Sequence, residues 1–242
     1  MSGFRHRHAK GAVRRKIAAE AAGTAFLLAT VVGSGIMGER LAGGNVAVAL
    51  MANAVATGAA LVAIILTFGP ISGAHLNPAV TLADASQGGM PRSLVVPYLA
   101  VQTIAAIGGV VLANVMFGEP AIAWSTHVRA GMPQLLSEFV ATFGLVSVIW
   151  GTVRSRPAAV PFAVGAYITA AYWFTPSTSF ANPAVTIARA FTDTFAGIRP
   201  ADVPPFIVAQ LTGAAAATAL FRWLIPALPK AAAEVVVPHG GV

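Results

Sequence analysis

The sequence predicts an all-α membrane protein: six transmembrane helices and two re-entrant half-helices, arranged as an inverted repeat. Three observations carry that expectation. Hydrophobic residues make up 57% of the 242-residue chain and charged residues only 10%, against about 25% charged in a soluble domain. The apolar residues come in long blocks, Val46 to Phe68 being one without a charge, and ~20 such residues cross the ~30 Å hydrocarbon layer as a helix. A short segment also recurs. Asn77-Pro-Ala-Val-Thr-Leu-Ala-Asp-Ala85 and Asn182-Pro-Ala-Val-Thr-Ile-Ala-Arg-Ala190 agree at seven of nine positions, which marks an internal duplication. A membrane β-barrel would alternate apolar and polar residues in ~10-residue segments, and the blocks of consecutive Ala, Val, Leu and Ile do not.

Taken in order, residues 1–16 read as a basic tail holding Arg5, Arg7, Lys10, Arg14, Arg15 and Lys16, six of the chain's fifteen Lys and Arg. The net charge of +7 therefore reads as a topology signal. A nucleic-acid partner is not expected, because the other basic residues are scattered and no stacking aromatics accompany the cluster. Six spans follow, at about Ile17 to Met37, Asn45 to Phe68, Leu94 to Phe117, Leu135 to Val153, Ala158 to Phe174 and Pro204 to Leu224. No small-residue processing site follows the first, so it is read as a span and not as a cleaved signal peptide. Two apolar segments, Asn77 to about Ala85 and Asn182 to about Phe191, are too short to cross and follow Gly, Ser and Pro punctuation.

Residues 17–228 form one expected channel domain, with repeats at about 17–117 and 135–228 and a C-terminal tail at 229–242. Both termini are placed in the cytoplasm of a bacterial inner membrane. Arg92, Arg154, Arg156, Arg222 and Lys230 then also lie inside, leaving Arg40, Arg129 and Arg199 outside, in agreement with the positive-inside bias. Three spans per half force the second copy to insert upside down, so the two short segments enter from opposite faces and meet near the midplane.

An enzyme is not expected. Cysteine is absent, and there is no His-rich metal pattern, no Gly-rich phosphate loop and no nucleophile motif with a base partner, so no metal or cofactor is expected either. Active transport lacks a visible ion-coupling constellation. A non-conducting structural membrane protein is the remaining rival to a channel.

The repeated motifs carry the chemistry. Asn is a good N-cap and Pro suits the first helical turn, so Asn77-Pro78-Ala79 and Asn182-Pro183-Ala184 each read as a helix start inside the membrane. Each start presents the positive end of a helix dipole and the amide donors of its Asn to a passing hydroxyl or water oxygen. Cations meet an unfavourable field there, and oriented single-file water relays protons poorly. Glu20 and Glu138 would be costly in lipid. They are expected to face protein and accept hydrogen bonds from re-entrant loop N–H groups, with a proton relay as the alternative. Gln102 and Gln210 brace the same loops. His75 either lines the pore or satisfies a loop carbonyl.

Gly73-Ala-His-Leu-Asn-Pro-Ala-Val-Thr81, the second Asn-Pro-Ala and the paired Glu and Gln residues together resemble the major intrinsic protein family of aquaporins and aquaglyceroporins. The resemblance spans nearly the whole chain. It implies a homotetramer in lipid, each subunit with its own pore for small neutral solutes such as water, glycerol and metalloid hydroxides. In most relatives an Arg follows the second Asn-Pro-Ala and edges the outer selectivity filter; here that position is Val185. The other filter positions carry over as Thr57, Ser179 and Ala170, or Ala171 given the placement of Pro176. These residues imply a wide filter without an aromatic, a His or an Arg. Val185 and the run from Ala181 to Phe195 resemble a bacterial subgroup associated with arsenic detoxification and passage of arsenite or methylated arsenicals. A general facilitator of glycerol, urea or water is the alternative. Arg189, one turn beyond Val185, is expected nearer the outer mouth, ion-paired with Asp193 four residues on, as a loop brace or a vestibule collar.

Overall fold

A computed structural model describes residues 2–225, with side chains from Gly11 onward; the expected tail at 229–242, Lys230 included, lies outside the described residues, as do the side chains of Arg5, Arg7 and Lys10. Eight α-helices are described: α1 (Ser2–Leu41), α2 (Val46–Ser72), α3 (Pro78–Ser86), α4 (Arg92–Met116), α5 (Met132–Ser155), α6 (Val160–Phe174), α7 (Pro183–Ala188) and α8 (Val203–Leu224). The helix of α1 runs on through the basic stretch read as a tail. Five of the long helices are apolar and long enough to cross a membrane. The remaining expected span, α6, has 15 residues, about 22 Å at 1.5 Å per residue. A 3-10 turn at Pro157–Ala159 precedes it and Pro176 follows its end, so prolines limit it on both sides.

The helices fall into two sets of the same plan. In the first, α1 packs on α2 and α4; in the second, α5 packs on α6 and α8. The halves join where α2 crosses α6. That crossing needs glycine on both sides: a Cβ on Gly165 would sit 2.6 Å from the Gly58 carbonyl oxygen, and one on Gly58 would sit 2.8 Å from that of Gly165. Backbone contact of this kind is how helices associate closely in lipid, where no hydrophobic force draws them together.

The half-helices α3 and α7 fill the space between the sets. Each packs against α4 and α8, one from its own half and one from the other. Large apolar side chains point outward, among them Phe26, Val55, Val96, Ile104, Val208 and Trp223, as a lipid-facing surface requires and a water-facing one does not. The polar residues go the other way. Glu20, Gln102, Glu138 and Gln210 are all fully buried, and their partners lie at the starts of the half-helices.

Candidate functional site

Each half-helix is preceded by a turn of strained backbone. Ala74 and Leu76 before α3, and Thr178, Ser179 and Ala181 before α7, all have positive φ without being glycine. That conformation is disfavoured for residues with a side chain and persists only where the surroundings hold it. Two carboxylates do the holding. Glu20 accepts from the backbone N–H groups of His75 (2.9 Å) and Leu76 (2.8 Å); Glu138 accepts from those of Phe180 (2.9 Å) and Ala181 (2.9 Å).

The glutamines close the network. Gln102 donates to Glu20 (2.8 Å) and to Thr81 Oγ1 (3.0 Å), and Gln210 donates to Glu138 (2.6 Å) and to Thr186 Oγ1 (2.7 Å). In the first half Ser72 adds a hydroxyl bond to Glu20 (2.7 Å). With their oxygens occupied by fixed donors, the two carboxylates brace the loops, and among the described residues no chain of further ionisable groups joins them.

The half-helices begin as the sequence pattern requires. Asn77 caps α3 by accepting from Ala79 N (2.8 Å), and Asn182 caps α7 by accepting from Ala184 N (3.0 Å) and Val185 N (3.3 Å). Each Asn also donates across the junction: Asn77 Nδ2 to the Ala181 carbonyl (2.8 Å), Asn182 Nδ2 to the Leu76 carbonyl (2.8 Å). An amide nitrogen carries two hydrogens, so one donor per Asn locks the halves together and one is left over.

A cavity runs along this junction. Asn77 and Asn182 line it together with His75, Thr57 of α2 and Ile168 and Tyr172 of α6. Pro78, Ala79, Pro183 and Ala184 are buried in the first turns of α3 and α7 and are not among the lining residues. The lining is mostly aliphatic, with polar groups confined to the Asn pair, His75 and one end.

At that end the structure differs from the expectation. Thr57, Ser179 and Val185 line the cavity, but neither Ala170 nor Ala171 does. Ala170 is exposed and Ala171 fully buried. The lining residues of α6 are Val164, Ile168 and Tyr172, an i+4 stripe, and Ala170 lies two residues or ~200° around the helix from Tyr172. Tyr172 thus faces Thr57, its hydroxyl 3.2 Å from Thr57 Oγ1, so an aromatic does stand at this end. Counting back from Asn182 missed it. Extending the stripe from Val164 and Ile168 would have found it.

Arg189 also lines the cavity. It forms no ion pair with Asp193, which instead accepts from Thr126 N (2.8 Å) and Thr126 Oγ1 (3.0 Å) and lies 3.4 Å from His127. The physical reason is that α7 ends at Ala188, tightens to a 3-10 turn at Arg189–Phe191 and becomes extended at Thr192, so the i,i+4 geometry does not exist. Only 2% of Arg189 is exposed, which removes the vestibule collar. Its guanidinium lies over the Phe180 ring, 3.4 Å from the centroid, and Nε donates to the Ala196 carbonyl. The two Nη groups have no hydrogen-bond partner among the described residues. The cation is absent from the Val185 position and present one turn further on.

Arg129 also lies near this ring, 5.0 Å from the centroid. It is committed to loop carbonyls, donating to Gly197 (2.7 Å), Ser177 (3.3 Å) and Phe195 (3.4 Å). It does not line the cavity.

His75 sits at the opposite end. Its Nδ1 is 3.2 Å from Thr81 Oγ1 and its Nε2 is 3.7 Å from Asp84 Oδ2. It satisfies no loop carbonyl; it is a wall of the cavity.

The sequence profile described as Major intrinsic protein matches residues 7–175 and 156–242. The chain is 54% identical over 216 residues to "Aquaglyceroporin AqpS" of Rhizobium meliloti (strain 1021), covering 89% of this chain and 92% of that one. It is 30% identical over 227 residues to "Aquaporin Z" of Bradyrhizobium diazoefficiens, covering 87% and 93%. The fold matches the X-ray structure of the aquaglyceroporin from Plasmodium falciparum with a TM-score of 0.72 at 21% identity, over 89% of this chain and 98% of that one.

Proposed function

Because this chain belongs to the major intrinsic protein family, we propose that it is a passive membrane channel for small neutral hydroxylated solutes: water, glycerol-like polyols, and arsenite or methylated arsenicals. The observation that carries the reading is the cavity between the half-helix starts, with remaining donors of Asn77, Asn182 and Arg189 set in a mostly aliphatic wall. A solute with several hydroxyls can replace its lost hydration at such donors while its carbon or metalloid face slides along the aliphatic side. The likeness to an aquaglyceroporin over most of both chains supports polyol passage.

Val185, Ser179, Thr57 and Tyr172 form the selectivity filter in this reading, with Arg189 as its cation. Residues 17–228 form the channel domain, with repeats at about 17–117 and 135–228. The protein sits in the bacterial inner membrane with both termini in the cytoplasm, as a homotetramer whose subunits each hold a pore. Arg92, Arg154 and Arg156 on one side support the orientation, and the outward apolar side chains support burial in lipid and in subunit contacts.

Stopped-flow measurements on proteoliposomes test it. Water, glycerol and arsenite are each expected to equilibrate faster than in protein-free liposomes. Rates equal to protein-free liposomes for all three would leave the non-conducting structural reading. Fast water and glycerol with background arsenite would leave the general facilitator.

A further inference from the structure

The cavity holds a fixed cation and nothing to balance it. Of its lining residues only His75, Tyr172 and Arg189 are titratable, and no Asp or Glu is among them. Arg189 is 2% exposed and makes no ion pair among the described residues. The described carboxylates of the second half are committed elsewhere: Glu138 to the loop N–H groups and Gln210, Asp193 to Thr126, and Asp202 to Arg199 and the Arg129 backbone N–H. A buried charge without a partner is costly, so a counter-ion from outside the fold is favoured at this place.

The geometry says what kind of ion fits. Phe180 covers one face of the Arg189 guanidinium, and Nε is taken by the Ala196 carbonyl. What remains is the edge formed by the two Nη groups, which have no partner among the described residues and are not sealed within the protein. Two nitrogens with hydrogens side by side in one plane match the two oxygens of a carboxylate. The Thr57 and Tyr172 hydroxyls, 3.2 Å apart, carry two hydrogens and use one between them, so a further donor faces the same cavity. The cavity volume is about 70 Å³, where one water needs about 10–15 Å³ on this measure. A few water-sized groups fit there, and a small anion stripped of most of its hydration fits with them.

We propose that the Nη edge of Arg189 is a binding site for a small planar monoanion, formate being the smallest carboxylate of the kind, and that the bound anion blocks the pore. The proposal rests on the channel reading given above. A neutral hydroxyl can take the same hydrogens, but a hydrogen bond between two charged groups is about twice as strong. Burial keeps Arg189 from gathering ions at the mouth, yet it also lowers the dielectric and the screening around any ion that reaches it. The anion goes no further than this. Ile168 and Val164, one and two turns along α6 from Tyr172, line the cavity and offer no donor, so leaving the guanidinium for that stretch is unfavourable. Neutral solutes pass Arg189, and the anion is retained there as a plug.

The test is stopped-flow water permeability of proteoliposomes holding the full chain near neutral pH, with chloride replaced by formate at equal concentration on both sides and sucrose as the osmolyte. The background of protein-free liposomes in the same salt is subtracted. At about 50 mM formate the wild-type permeability is expected to fall by at least about half, as a dissociation constant in the millimolar range gives. Each variant is compared with itself in chloride, so the readout does not depend on how much protein has folded and inserted. Arg189→Gln is expected to lose the inhibition. Arg189→Lys keeps a charge but not the paired nitrogens, and about ten-fold more formate is expected to be needed; it carries the test if Arg189→Gln yields no channel. Equal wild-type permeability in formate and chloride overturns the site, and so does inhibition that survives unchanged in either variant. A wild type that passes water no faster than protein-free liposomes in chloride overturns the channel reading and this site together. One that passes water and ignores formate overturns the site alone.

Discussion

Asn77 and Asn182 are bonded to each other's loops: the amide of each donates, at 2.8 Å, to the carbonyl of the residue just before the other. The two half-helix starts are thereby fixed end to end from both sides. Each Asn also caps its own helix through its side-chain oxygen. One residue type at one repeated position accordingly sets the helix start, the junction between the halves and the donor that faces the cavity.

Replacing the amide by a carboxylate separates these roles. Asn182→Asp keeps the caps to Ala184 and Val185 but has no hydrogen to donate to the Leu76 carbonyl. The buried carbonyl is orphaned at about 1–3 kcal/mol, with the cost of a buried charge added. Thermal unfolding of the detergent-solubilised protein is expected at a lower temperature than for the wild type. A midpoint equal to the wild type would show that the cross-junction bond contributes nothing.

Glu138→Ala is expected to damage folding before it alters selectivity. It leaves the N–H groups of Phe180 and Ala181 and the Gln210 amide without their acceptor, in a turn where Ser179 and Ala181 already hold positive φ. Three orphaned donors at about 1–3 kcal/mol each approach the whole stability of a typical domain. Low yield and early unfolding are the expected readouts. A stable variant with wild-type unfolding and no flux would instead give Glu138 a direct part in transport.

The fold was legible because its signals are long or repeated. Apolar blocks of helix length gave the spans, and the duplicated Asn-Pro-Ala gave the inverted repeat. The bracing network was legible from pairing, since Glu20 with Glu138 and Gln102 with Gln210 sit alike in the two halves. The cavity end near Val185 was less so. Tyr172 was missed because a fixed offset from Asn182 cannot absorb the shift that the loop around Pro176 introduces. The Arg189–Asp193 pair was wrongly expected because the i,i+4 rule presumes a helix that continues, and α7 stops one residue before Arg189. Local breaks in helices are set by tertiary packing, and short windows of sequence do not record them.

The loop that holds Thr126 makes a pH-dependent contact with Asp193. Asp193 is held below the usual carboxylate range, chiefly by the hydrogen bond from the Thr126 backbone N–H, then by the Thr126 hydroxyl and by His127. A depressed carboxylate contributes order that is present above its unfolded value, near 3.8, and is lost as pH falls through the lower folded value. The Thr126 amide is therefore expected to stay protected from hydrogen exchange at pH 5 and above and to lose protection only in more acidic solution. In Asp193→Asn that acid step should disappear. An acid step that persists in the variant would assign it to another group.

The position of the guanidinium gives the last prediction. Val185 leaves the cavity beside Thr57 and Ser179 without a cation, and Arg189 supplies one a turn further out, stacked on Phe180. Val185→Arg adds a second guanidinium to the same cavity wall, one turn from Arg189. Added bulk excludes the larger solute first, and the added charge repels cations without binding water more strongly. The ratio of glycerol to water permeability is expected to fall about ten-fold, a change of about 1.4 kcal/mol in relative barrier. Arg189→Gln acts in the opposite sense on charge: it removes the fixed cation but leaves Val185 and the aliphatic wall. Because Arg189 is buried, salt screens its field weakly, so the cation leak that this variant is expected to show should hardly depend on ionic strength. An unchanged glycerol-to-water ratio in Val185→Arg would place the filter elsewhere in the cavity. A cation leak in Arg189→Gln no greater than in wild type would return Arg189 to the role of a loop brace through its bond to the Ala196 carbonyl.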